Sequence, residues 1–178
     1  MINPTAQQSR RKFLGGLAAG ALAGGATPKF LSASERNHIH TLARHKYQSA
    51  NDQIQLAVIG AGGMGMADVE TALSIPGVRL VAVADCFDGR LVAARHNYGQ
   101  DLFTTRDYRE ILARNDVDAV ICGAPDHWHK RISVEALSAG KSVYCEKPMV
   151  HSIAQGADVV RAQNESGKTF QVGSQGMS

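Results

Sequence analysis

From residue 54 onward, short apolar runs alternate with longer stretches in which apolar residues return every three or four positions. The runs are Ile54–Ile59, Val78–Ala84, Val117–Cys122, Ser142–Cys145 and Thr169–Val172, and the first three are nearly unbroken. A strand wetted on one face alternates apolar with polar, whereas one covered on both faces reads as a continuous run. Between the runs lie helical patterns at Met64–Ser74, Asp88–Tyr98, Arg106–Arg114, His129–Ala139 and Ile153–Ser166, with Gly140 and Gly167 where helix stops are expected. Strand and helix in turn predict an α/β fold: a doubly wound parallel sheet with helices on both faces, joined by right-handed crossovers. The length after position 50 suits one domain with one core.

The first run ends in Gly60-Ala61-Gly62-Gly63-Met64-Gly65. Each glycine has a separate task. Gly60 lets the chain leave the strand in a tight turn, Gly62 removes a side chain that would keep a pyrophosphate off the backbone, and Gly65 lets the next helix pack close to the sheet. Gly63 and Met64 complete the loop and open that helix, whose N-terminal N–H groups and dipole favour phosphate. The second run delivers Asp85 to its end, where a carboxylate can accept hydrogen bonds from an adenosine ribose. The same charge repels the extra phosphate of NADP, so NAD is the expected cofactor and NADP the less favoured one. Arg90 is the nearby cation able to serve a phosphate instead, and Asp88 reads as the start of the next helix.

The other end of the chain carries a targeting pattern. Ser9-Arg10-Arg11-Lys12-Phe13-Leu14 sets paired arginines before a mildly apolar, glycine-rich stretch, Phe13–Ala26. This is the layout of a twin-arginine export signal, and the stretch is too short to cross a bilayer core. The expected organisation is a signal region over 1–34, a polar linker over 35–53 and a nucleotide-binding domain over 54–178. The export machinery is then a partner and the location is periplasmic or exported, with retention at the inner membrane by an uncleaved signal as the alternative. Cleavage after Ala21-Leu22-Ala23 or after Ser32-Ala33-Ser34 is equally compatible with the pattern.

Residues 1–50 hold seven Lys/Arg and one Asp/Glu, so the net charge of +3 arises in the signal and linker. The remainder is slightly acidic, with no basic stripe, which excludes a nucleic-acid partner. The linker histidines His38, His40 and His45 read as solvated side chains. Cys86, Cys122 and Cys145 match no zinc or redox spacing and read as small core or cleft residues. No metal is expected.

Two later loops fall at the carboxyl ends of strands, where open α/β sheets bind ligands. They contain Pro125-Asp126-His127-Trp128-His129 and, after Ala136-Leu137-Ser138-Ala139-Gly140-Lys141-Ser142-Val143, the triplet Glu146-Lys147-Pro148. This ordered series resembles the cofactor domain of the Gfo/Idh/MocA oxidoreductases, the family of glucose-fructose oxidoreductase and inositol dehydrogenase, whose motifs are P-[ND]-x-x-H, A-L-x-x-G-K-x-V and E-K-P. The resemblance covers residues 54–178. It implies that Pro125 to His129 border the dinucleotide, with His127 or Trp128 near its ribose and ring. It places Glu146 and Lys147 beside the nicotinamide ribose, Lys147 at the reacting hydroxyl as the catalytic residue, and Gln175 near the nicotinamide. An ammonium there stabilises developing alkoxide character or relays the hydroxyl proton.

Plainer readings of the same residues stand beside these. Lys147 is also what a surface lysine before a turn-forming proline looks like, and Trp128 what a cover for the sheet edge looks like. His127 and His129, with Cys122 and Cys145, form no recognised zinc set. Members of the family continue into a second α/β domain that covers the nicotinamide and binds substrate. That substrate domain is absent from this sequence, so the chain is expected to be a fragment or a truncated product, inactive alone, with any homo-oligomer requiring the missing part. The implied function is an exported NAD-dependent oxidoreductase of a sugar or polyol; the alternatives are an NAD-using glycoside hydrolase and a noncatalytic nucleotide-binding fragment.

Overall fold

The apolar runs become parallel strands of one sheet. A computed structural model describes residues 53–174, all within one compact unit. The paired arginines, most of the linker and Gln175 lie outside the described residues. The elements are β1 (Ile54–Ile59), α1 (Gly63–Leu73), β2 (Val78–Ala84), α2 (Asp88–Tyr98), β3 (Phe103–Thr105), α3 (Tyr108–Leu112), β4 (Ala119–Cys122), α4 (Asp126–Ser138), β5 (Ser142–Cys145), a 3₁₀ turn (Ile153–Gln155), α5 (Gly156–Ser166) and β6 (Phe170–Val172).

Every strand pairing is parallel and the order is β3-β2-β1-β4-β5-β6. This is the doubly wound arrangement, in which the chain starts at β1, builds outward to β3, then returns to β4 and builds the other way. Between β1 and β4 the crossovers diverge, leaving a crevice at their carboxyl ends.

Alternate side chains of β1 supply two separate cores, as the two-residue repeat of a strand requires. Ala57 and Ile59 join Ile111, Ile132, Ala136, Leu137 and Ala162 under α3, α4 and α5. Leu56 and Val58 join Val69, Leu80, Leu91 and Leu102 under α1 and α2. Burying one such side chain contributes about 1.5–3 kcal/mol. Lys141, the lysine of the Gly-Lys passage, is itself buried and donates from Nζ to the Arg114 carbonyl at 2.7 Å, so it ties the end of α3 to β5.

Several boundaries differ from the sequence expectation. β3 was not marked by any apolar run, because it is a three-residue edge strand, Phe-Thr-Thr. α4 begins at Asp126 rather than His129, and Pro125 is its cap. The last helical pattern opens with a 3₁₀ turn before α5. Gly140 and Gly167 do end helices, at φ +75° and +63°. Among the described residues no helix is long and apolar enough to cross a membrane.

Candidate functional site

Three glycines bring the carboxyl ends of β1 and β4 into backbone contact. Gly60 has φ +92°, and a Cβ there would stand 2.5 Å from the Ala124 nitrogen. A Cβ on Gly65 would overlap the Gly60 carbonyl oxygen, and one on Gly123 would lie 2.7 Å from the Gly65 Cα. Gly123 belongs to no glycine signature and was not anticipated. Gly62 and Gly63 are different: a Cβ at Gly62 would meet only the Arg90 guanidinium at 3.9 Å, and one at Gly63 would meet nothing within 4 Å. The loop is therefore closed on its sheet side and open on its outer side. Gly62 caps α1 with no side-chain hydrogen bond, so the first-turn N–H groups face this opening unsatisfied by any cap. Such a cradle fits a pyrophosphate.

Asp85 is buried at the end of β2. Its Oδ2 accepts the Ala61 N–H at 2.9 Å and its Oδ1 accepts the Phe87 N–H at 2.8 Å. Arg90 Nη1 lies 3.2 Å from Oδ2, with the arginine half exposed. Asp85 thus locks the glycine turn to β2 while presenting a carboxylate beside it, a structural task the sequence reading had not assigned. Phe87, whose N–H this carboxylate accepts, is 64% exposed and was also missed.

At the switch point the sheet ladder continues past the strand ends. Gly123 N–H donates to the Ile59 carbonyl, Glu146 N–H to the Cys122 carbonyl and Gly173 N–H to the Cys145 carbonyl, at 2.8–3.0 Å. This fixes Glu146, whose side chain is buried. Asp68 of α1 lies against it. Burial, then repulsion from Glu146 and a hydrogen bond with it, push the Asp68 carboxyl up to about 6. Lys147 is exposed, its N–H donates to Glu146 Oε2 at 3.3 Å, and the Lys147–Pro148 peptide is cis.

Pro125 opens α4, and the next residue, Asp126, receives His151 Nδ1 at 3.1 Å. That hydrogen bond holds the Asp126 carboxyl below the usual carboxylate range. It links the segment after Pro148 to the start of α4. His127 is exposed, with its ring 6.2 Å from that of Trp128. Trp128 stands edge-on to Tyr108 at 6.4 Å, with the Arg131 guanidinium 5.6 Å from its ring centre. It therefore packs over the α3–α4 contact, between helices rather than on the sheet edge.

His129 does not face the crevice. It is 2% exposed beneath both loops, with Cys122 and Cys145 fully buried beside it. The ligating atoms of these three lie within 4.8 Å of one another. Yet Nδ1 is 2.6 Å from the Pro148 carbonyl oxygen and Nε2 is 2.7 Å from that of Ala124, so neither ring nitrogen offers a lone pair to a cation in this arrangement.

Comparison with known proteins places this geometry among relatives. Residues 54–174 match the Gfo/Idh/MocA model, an oxidoreductase family with an NAD-binding Rossmann fold. The inositol 2-dehydrogenase of Rubrobacter xylanophilus is 36% identical over 125 residues, covering 69% of this chain and 35% of that protein. Glycosyl hydrolase family 109 protein 2 of Shewanella sp. (strain ANA-3) is 35% identical over 119 residues, covering 61% of this chain and 26% of that protein. The crystal structure of the WlbA dehydrogenase from Chromobacterium violaceum, in complex with NADH and UDP-GlcNAcA, has 27% identity and a TM-score of 0.63, covering 68% of this chain and 35% of that one. The chain spans about a third of the length of the curated relatives it matches.

Proposed function

The chain belongs to the Gfo/Idh/MocA oxidoreductase family, and on that premise we propose that it is the cofactor domain of an exported NAD-dependent dehydrogenase acting on a hydroxyl of a sugar or polyol. The observation that carries this reading is the pairing of two features at one crevice: the buried Asp85 carboxylate beside the open glycine cradle, and the exposed Lys147 at the carboxyl end of β5. The backbone around Gly62, Gly63 and Met64 would hold the pyrophosphate, and Asp85 the adenosine ribose. Pro125, His127, Trp128, Glu146 and Gln175 would border the remainder. When bound, the nicotinamide supplies a hydride acceptor. Lys147 would orient the substrate hydroxyl and stabilise its developing alkoxide character or relay its proton.

Asp85 favours NAD, since a fixed carboxylate in that position opposes a ribose phosphate. Similarity to an inositol 2-dehydrogenase and to a dehydrogenase solved with NADH and a nucleotide sugar supports a polyhydroxylated substrate. Similarity to a family 109 glycosyl hydrolase supports a second reading, in which the same site serves glycoside cleavage.

The test is a panel of polyols, sugars, nucleotide sugars and glycosides offered to the full-length protein with NAD or NADP. We expect net NADH formation with a polyol or sugar, a preference for NAD that narrows in Asp85→Ala, and a fall in kcat of about 10²–10⁴-fold in Lys147→Ala with NAD affinity little changed. Release of sugar from a glycoside without net NADH would support the second reading instead. NAD binding with no turnover of either kind would reduce the protein to a nucleotide-binding module.

A further inference from the structure

The proposed chemistry leaves one buried group unused: His129, Cys145, Cys122 and Ser133, all closed off from solvent beneath the loops that carry Pro125 and Lys147. Its central feature is the pair of carbonyl contacts made by His129, to Pro148 through Nδ1 at 2.6 Å and to Ala124 through Nε2 at 2.7 Å. A neutral imidazole carries one donor and one acceptor nitrogen. In either tautomer one of these contacts would set a nitrogen lone pair against a carbonyl lone pair in a site that water does not reach. Only the doubly protonated ring satisfies both.

A buried cation needs a counter-charge. The groups that face His129 are the Cys145 sulfur from β5, the Cys122 thiol from β4, the Ser133 hydroxyl of its own helix and the two carbonyls; no carboxylate is among them. The Cys145 sulfur lies within 4.8 Å of a ring nitrogen, in reach of an ion pair though not of a third N–H. Cys122, its register partner on the neighbouring strand, sets its own sulfur within 4.8 Å of that of Cys145. The buried Ser133 hydroxyl has no hydrogen-bond partner, and its polarity favours a charged sulfur nearby. One group opposes this: the Glu146 carbonyl oxygen, to which a Cys145 S–H would donate at 3.4 Å.

We propose that His129 is held as an imidazolium, with the Cys145 thiolate as its counter-ion, and clasps the Ala124 carbonyl to the Pro148 carbonyl so that Lys147 is fixed in register with the Pro125 loop. The charge distribution runs the same way. Burial opposes the charged ring, yet the nearby Cys145 sulfur and the two carbonyls hold His129 up to about 9. The Cys122 thiol, opposed by burial but aided by the ring, brings Cys145 down to about 5. His129 is thus a positioning residue: Ala124 directly precedes Pro125 and Pro148 directly follows Lys147. Its effect on turnover rests on the reading of Lys147 given above. Its protonation does not.

The full-length protein, labelled with ¹⁵N-histidine, tests both parts. At about pH 7.5 the nitrogen spectrum of His129, assigned by its loss in His129→Asn or His129→Gln difference spectra, should show two protonated ring nitrogens. In Cys145→Ser, whose alcohol stays neutral, the ring should lose one proton. A neutral His129 ring in the parent, or an unchanged imidazolium in Cys145→Ser, would overturn the ion pair. His129→Asn and Cys145→Ser should both lower kcat by on the order of 10²-fold, the size of loss that a displacement of about 1 Å can cause, with NADH affinity within a few fold. Unchanged kcat would overturn the positioning role. If His129→Asn does not fold, Cys145→Ser still decides by spectrum and by the split between kcat and affinity. An imidazolium together with an inert Lys147→Ala would keep the clasp and remove the lysine reading, and a neutral ring with an inactive Lys147→Ala would do the reverse.

Discussion

Asp68 is the residue at which pH and stability should meet. It lies on α1 beside the buried Glu146, and burial first, then Glu146, raise its carboxyl from 3.8 to about 6. A raised carboxyl pKa means that the folded chain holds the proton more tightly than the unfolded one. The stability this contributes is full below pH 3.8 and is lost as pH rises through about 6. Asp68→Asn keeps a hydrogen-bond donor toward Glu146 without the charge. We expect it to raise the melting temperature of the full-length protein by a few degrees at about pH 7.5 and by less at about pH 4. Thermal melts at the two values check this, and destabilisation that grows with pH would contradict it. Asp85 is tied by two backbone N–H groups, so its loss is expected to loosen the glycine turn as well as the cofactor preference.

At the scale of elements, the glycines of the β1–α1 turn divide into two kinds. Gly65 is closed in by the Gly60 carbonyl and by Val58 at 3.4 Å, whereas Gly62 faces open space bounded by Arg90. Gly65→Ala should therefore destabilise by about 1–3 kcal/mol through overpacking. Gly62→Ala should leave the melting temperature nearly unchanged yet weaken NADH binding about tenfold or more, equivalent to about 1.4 kcal/mol. Calorimetric titration and melting curves on the two variants separate these effects. Equal melting losses with intact NADH binding in Gly62→Ala would refute the division.

The same scale shows how far the sequence could be read. β1, β2, β5 and α2 stand at the bounds their patterns predict, because each presents an unbroken run or a clear start and stop. β3 gave no such signal, being short and at the sheet edge. The start of α4 was available in Pro125-Asp126, a favourable helix opening that was read as loop. Gly123, Asp68 and the carbonyl clasp of His129 were not available, since each acquires its role from a partner on a different crossover. The candidate site was legible where one loop makes it and hidden where two loops meet.

For the whole molecule, the order of strands bears on the export proposed above. The central pairing joins Leu56 of β1 to Ala119 of β4, so the crevice exists only after β2, α2, β3 and α3 have been passed over and β4 has returned to the middle. A parallel sheet with such non-local pairings forms slowly, and it must form before a dinucleotide can be held across its switch point. Passage through a membrane as an unfolded thread would discard that assembly and leave the protein to find NAD outside the cytoplasm. A route for folded proteins avoids both, which is the physical case for Arg10-Arg11 ahead of the weak apolar stretch Phe13–Ala26 as a twin-arginine signal. Replacing both arginines by lysine in the full-length protein should leave most of it in the cytoplasm, folded and with unchanged NADH affinity, since the exchange keeps the charge and touches no described residue. Fractionation with NADH titration of each fraction measures this. Undiminished delivery of the double-lysine variant would remove the folded-export proposal, while cytoplasmic retention together with lost NADH binding would show that the arginines serve the fold rather than the route.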